Sequence, residues 1–281
     1  SIVVATTSGQ SPFTYSLNSN PFVGTSTFSN LPIGTYTVAI RDNLGCRKDT
    51  SVTVTQPTLL VPFATVSTPT CFGFANGRVT INAFGGVFPY SFALGTGTFS
   101  AVNTFNGLTA GTYTFRIRDA NNCTKDTTIT ITQPTKLEFQ SLDIQNVLCF
   151  GDTSGRVVIN GTGGTTPYAY AANALPYNAN NTKTGLKVGV NMIRIRDANN
   201  CDLDTALRLT EPAKLLLNIP SITQPTCEGF KDATIVVSAQ GGTMPYLYAI
   251  NSGSTQSSNV FSQLSEGTYT LSVRDSNNCT H

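Results

Sequence analysis

Residues 108–123 read LTAGTYTFRIRDANNC, and the chain writes three close variants of that phrase. They are LPIGTYTVAIRDNLGC at 31–46, LKVGVNMIRIRDANNC at 186–201 and LSEGTYTLSVRDSNNC at 264–279. The leading leucines lie 77, 78 and 78 residues apart. A constant period of that length marks an array of small structural units rather than one large domain. Working outward from the phrase, we expect copies at 1–57, 58–134, 135–212 and 213–281. The first enters where the second already has Arg78, and the fourth stops before a last strand. We therefore expect an N-terminally truncated first repeat, a fourth repeat lacking its last strand, and a segment cut from a longer polymer. His281 lies at that cut end and receives no role.

Within the second copy, short apolar or alternating runs bounded by Gly, Pro and Asn predict strands at 59–66, 78–84, 89–94, 98–100, 104–106, 112–118 and 127–132. No capped helical stretch interrupts them. Seven short strands in about 78 residues predict an all-β architecture of tandem immunoglobulin-like or fibronectin type III-like sandwiches. Leu108, Gly111 and Tyr113 match the L-x-x-G-x-Y pattern of a tyrosine corner, repeated at Tyr36 and Tyr269. Tyr113, Phe115 and Ile117 should point to the core, with Thr114, Arg116 and Arg118 toward water. Asn191 takes the tyrosine's place in the third copy, which is therefore expected to be the least stable. Asp119-Ala-Asn-Asn122 reads as a turn, because Asp and Asn bond their own backbone. Calcium at Asp119/Asn121 and its copies (Asp42, Asp197/Asn199, Asp275/Asn277) would need six or more oxygens, and few acidic residues are nearby.

A second phrase is GGxxPY, at 85–90, 163–168 and 241–246, with SGQSPF at 8–13 as a looser copy. Its glycines supply a sharp turn. The aromatic pairs that follow (Tyr90/Phe92, Tyr168/Tyr170, Tyr246/Tyr248) share one strand face. They predict either a core stripe or a stacking platform for sugars, and the core stripe is favoured. Linkers of three residues, TQP at 55–57 and 132–134 and TEP at 210–212, predict a stiff rod.

Seven cysteines form two series: Cys71, Cys149 and Cys227 after the first strand, and Cys46, Cys123, Cys201 and Cys279 at the end of the opening phrase. Their spacing does not suit zinc, and regular cysteines in small β repeats indicate an oxidising, extracellular setting. Two pairings are open. Closure within a repeat would give Cys71–Cys123, Cys149–Cys201 and Cys227–Cys279. Strand parity opposes it: five predicted strands separate Cys71 from Cys123, so the two should lie at opposite ends of a sandwich, roughly 20 Å apart. A disulfide needs Cα atoms within about 7 Å. Bridges between neighbours, Cys71–Cys201 and Cys149–Cys279, are favoured, with Cys46, Cys123 and Cys227 paired outside the segment. That count requires the fourth and fifth predicted strands to be separate.

Only 11% of residues are charged and the net charge is +2, so no basic stripe for nucleic acid is present. No run of eighteen apolar residues would insert in a membrane. Neither a nucleophile elbow nor a histidine base is found, so no enzyme and no cofactor is expected.

Taken together, T-x-x-C-x-G, G-G-x-x-P-Y-x-Y, L-x-x-G-T-Y-T and R-D-x-N-N-C followed by T-I-T-Q-P resemble the SprB-type repeat of Bacteroidetes surface proteins, over essentially the whole chain. The resemblance implies a non-catalytic structural segment of a long extracellular adhesin filament, attached at the outer membrane, exported by type IX secretion and used in surface adhesion and gliding motility. It implies neighbouring repeats of the same chain as partners; the alternative, a carbohydrate-binding array with surface polysaccharide as ligand, rests instead on the paired aromatics and the many Asn and Thr side chains. It also implies O-glycosylation at Thr50, Thr127 and Thr205, each after an Asp; a Thr-rich strand start is the plainer reading of those positions.

Overall fold

A computed structural model describes residues 1–281. Every regular element is a strand, and the strands of the third copy pair antiparallel throughout. The third copy shows the plan most completely. Glu138–Gln145, Gly155–Thr162 and Thr182–Leu186 form one sheet in that order. Ala169–Ala172, Gly189–Arg196 and Asp202–Leu209 form the other. Alternation dictates the core: Val157, Ile159, Ile193 and Ile195 are fully buried, while the residues between them face outward or sideways. Burying each such aliphatic side chain contributes roughly 1.5–3 kcal/mol.

The second copy has the same two triplets, from Val61–Ser67, Gly77–Phe84 and Thr104–Leu108, and from Ser91–Leu94, Gly111–Arg118 and Thr124–Ile131. The predicted strand at 98–100 is smaller than expected: it contributes one bridge, Ser100 to Phe92, repeated as Asn178 to Tyr170 and Gln256 to Tyr248. The copy therefore has six strands and a bridge rather than seven strands. The chain still reverses at that bridge, so the fourth and fifth predicted segments stay separate.

The chain forms two compact units. One comprises Ser1–Val66, Val79–Phe105 and Thr112–Thr130; the other comprises Ser67–Arg78, Asn106–Gly111 and Ile131–His281. The four sequence copies and these two units thus divide the chain differently. The reason lies at Cys71: the loop that carries it is bonded into the third copy, as described next.

Candidate functional site at the repeat junctions

The opening phrase ends in a turn organised by one carboxylate. Asp197 is 4% exposed. Its Oδ1 accepts the amides of Asn199 and Cys201 at 2.8 and 2.9 Å, and its Oδ2 accepts that of Thr165 at 2.9 Å. Asp119 does the same with Asn121, Cys123 and Val87, and Asp275 with Asn277, Cys279 and Thr243. Both carboxylate oxygens are spent on backbone amides, which is the turn role rather than a cation's ligand set. For Asp42 and Asp119, burial alone would raise the pKa; the backbone amides outweigh it and hold both carboxyls below the usual range.

The same aspartate ties this turn to the GGxxPY loop, and both glycines of that loop are sterically required. Gly163 has φ +71, and a Cβ there would lie 1.8 Å from the Lys136 carbonyl oxygen. Gly164 has φ +58, and its Cβ would lie 2.7 Å from Asp197 Oδ2. Closer packing than that is impossible for any residue with a side chain. The Gly164 amide donates to the Thr135 carbonyl at 2.9 Å, and Gly242 donates to Ala213 at 2.7 Å. Each loop thereby grips the chain just after the linker that enters its repeat. The x-Pro peptide of the loop is cis in all four copies.

The linker is held on its other side too. Gln133 Oε1 accepts the Gly73 amide at 2.8 Å, and Glu211 Oε2 accepts the Gly151 amide at 2.7 Å. The middle residue of TQP and TEP therefore clamps the cysteine loop of the repeat it leaves. Gly73, Gly151 and Gly229 all have φ between +74 and +79, which is the reason for glycine two residues after each of those cysteines.

Loop and turn meet across the linker. Cys71 is bonded to Cys201 with Cα atoms 5.8 Å apart, and Cys149 to Cys279 at 5.7 Å. Both values suit an ordinary disulfide. Asn199 Nδ2 donates to the Thr70 carbonyl at 2.9 Å, and Asn277 Nδ2 to the Leu148 carbonyl at 3.0 Å. Thr165 and Thr243 Oγ1 hold those amides from behind, at 3.0 and 3.1 Å. The third copy's two cysteines thus serve different bridges: Cys201 receives a loop from the second copy, and Cys149 is given to the fourth. Cys46, Cys123 and Cys227 are exposed thiols. Sequence reading treated the asparagines of R-D-x-N-N-C and the linker glutamine as turn and spacer. Their roles in the junction were missed, and only their recurrence hinted at them.

The remaining predicted residues fall as follows. The Tyr36 hydroxyl donates to the Pro32 carbonyl at 2.8 Å and Tyr269 to Ser265 at 2.7 Å, each four residues back, and Tyr113 occupies the same place. Asn191 is 3% exposed and its Nδ2 reaches the Lys187 carbonyl at 2.9 Å, so a shorter side chain restores the corner's bond. The ground for expecting a weak third copy at this position is thereby lost. The paired aromatics point inward: Tyr90, Tyr168 and Tyr246 donate to the carbonyls of Gly85, Gly163 and Gly241 at 2.6 Å, and Phe92 and Tyr248 are each 7% exposed. Tyr90, Tyr168, Tyr170 and Tyr246 are half-buried, so the pairs lie at the margin of the core rather than fully exposed. Arg116 and Arg118 do not simply face water, since both guanidinium groups lie over the Phe99 ring, at 5.1 and 4.4 Å. Thr50 is exposed, whereas Thr127 and Thr205 are half-buried within their strands, with Thr205 opposite buried Ile193.

The chain matches the family described as SprB repeat at three places, residues 64–99, 141–174 and 219–255, in the second, third and fourth copies. No curated protein matches it. Solved structures with similar folds include three N-terminal domains of the Hoc capsid protein of bacteriophage RB49, at 10% identity and a TM-score of 0.38 over 70% of this chain and 78% of that one. Invasin, a bacterial integrin-binding protein, aligns at 11% identity and a TM-score of 0.35 over 96% and 70%. Immunoglobulin domains 1–5 of Sidekick-1 align at 10% and 0.33 over 97% and 72%. At such scores they add nothing to what the sheets themselves show.

Proposed function

From the SprB repeat matches in three of its copies, we propose that the chain is a non-catalytic, force-bearing segment of an extracellular adhesin filament built of such repeats. The observation that carries the proposal is the interleaving of its disulfides: Cys71, Cys149, Cys201 and Cys279 alternate between the two bridges along the chain. A pull on the two ends therefore follows residues 1–71, crosses to 201, runs back to 149 and crosses to 279. Residues 72–148 and 202–278, 77 in each stretch, are excluded from the load path. Disulfides persist in oxidising surroundings, which suits a surface protein. On this proposal Cys46, Cys123 and Cys227 pair with repeats outside the segment, and the partners are neighbouring repeats of the same long chain. Gliding motility, type IX export and attachment at the outer membrane are the finer setting proposed from the family. Surface polysaccharide is the partner on the alternative reading, a carbohydrate-binding array built on the half-buried paired aromatics.

Single-molecule extension of the oxidised and reduced chain tests this. Reduction should lengthen the fully extended chain by the 154 residues of 72–148 and 202–278, about 510–550 Å at ~3.3–3.6 Å per residue. Equal lengths in the two states would show that the bridges do not shorten the load path, and the proposal would fail.

A further inference from the structure

Each bridged junction has a receiving seat, and the second copy presents the counterpart positions around its exposed Cys123 thiol. In the third copy Lys136, Leu137, Cys201 and Leu203 line a hollow together with Cys71, Phe72 and Phe74 of the incoming loop. Their second-copy counterparts, Leu59, Leu60, Cys123 and Lys125, line a hollow of about 330 Å³ that opens at the exposed Cys123 thiol. Leu59 and Lys125 stand where the third copy has Lys136 and Leu203, and the residue behind the junction asparagine differs as well. Asn199 and Asn277, which take the carbonyl preceding the loop cysteine, are backed by Thr165 and Thr243. The second copy has the asparagine, exposed Asn121, but Val87 behind it; the first has Leu44 and Gln10.

We propose that the hollow at Cys123 is a selective seat for the x-Cys-x-Gly loop of an adjoining repeat, and that residue 121, backed by residue 87, sets how strongly it discriminates. The proposal rests on the stapled-segment reading above and supplies its missing partner. Selection precedes the bond: the amide of Asn121 takes the loop carbonyl, the aromatic residue beside the cysteine lines the hollow with Leu59 and Leu60, and the two sulfurs are brought to bonding distance. Bond formation then releases two protons and two electrons to a disulfide oxidant, which leaves as a dithiol.

The probe is a synthetic peptide of the chain's own loop, PTCFGFAN (residues 69–76), with its cysteine activated as a mixed disulfide with 2-nitro-5-thiobenzoate. The Cys123 thiolate attacks the peptide sulfur and nitrothiobenzoate leaves, so absorbance gives the rate. The target is the whole chain with Cys46→Ser and Cys227→Ser, both exposed positions. A scrambled peptide of equal composition serves as the reference. We expect the loop peptide to react roughly three- to tenfold faster than the scrambled one, the range set by one amide–carbonyl hydrogen bond. Asn121→Leu should bring that ratio close to one, and Val87→Thr should raise it. In a companion chain keeping only the Cys46 thiol, the ratio should already be near one. Equal rates for the two peptides at Cys123, or an unchanged ratio in Asn121→Leu, would overturn the seat. Non-reducing peptide mapping of the same samples reports Cys71–Cys201 and Cys149–Cys279 separately. Loss of those bridges would refute the parent reading, whereas a failed ratio with both bridges present refutes the seat alone.

Discussion

Lys183 is the residue most at odds with its surroundings. It stands where the other copies have Phe28, Phe105 and Phe261, it is 7% exposed, and its Nζ donates to Asn178 Oδ1 at 2.8 Å. Burial pushes its pKa down, because a charge costs more in an apolar site than in water. A lysine whose folded pKa lies below its unfolded value of about 10.4 favours folding increasingly as pH rises from the folded value to the unfolded one. The third copy should accordingly gain stability on the alkaline side. Lys183→Phe should raise stability at pH 7 by roughly 1–3 kcal/mol and abolish the alkaline gain. Chemical denaturation at pH 7 and pH 9.5, with the three free thiols replaced by serine, measures both. A destabilised Lys183→Phe chain would mean that the Asn178 bond outweighs the burial cost.

At the scale of elements, turn, loop and linker form one lock. Gly164→Ala would force an αL residue with a side chain against Asp197 and should cost on the order of 1–3 kcal/mol. Gly163→Ala should cost more, because its Cβ would meet the rigid Lys136 backbone rather than a carboxylate. Denaturant midpoints of the two variants should fall in that order. The carboxylate gives the lock a pH limit. Asp42 and Asp119 have folded pKa values below the unfolded one, so their contribution is fully present above about pH 4 and is lost as pH falls through the folded value. Thermal melts at pH 7, 4 and 2.5 should show a declining acid limb, and Asp119→Asn should lower the pH 7 midpoint while flattening that limb. On the linker, Gln133→Ala removes the acceptor that orients Gly73. Refolding of the reduced variant in a thiol–disulfide buffer should yield less Cys71–Cys201 bridge than the parent chain, with Cys149–Cys279 unchanged; equal yields would reduce the glutamine to a spacer.

For the whole molecule, what was legible in the sequence was whatever repeats or alternates along the chain. The period of 77–78 residues gave the recurrence of the strand pattern, alternation at residues such as Val157 and Ile159 gave the sheets and core, and the count of reversals separated the two cysteines of one copy. Those are local properties, because side-chain direction in a strand follows from position alone. Three things came only with the tertiary structure: the tyrosine hydroxyls turned inward onto glycine carbonyls, the linker glutamine engaged at a separation of 60 residues, and the junction asparagines engaged at 129. No local rule reports them, since each depends on which backbone group another part of the chain leaves without a partner once the strands have packed.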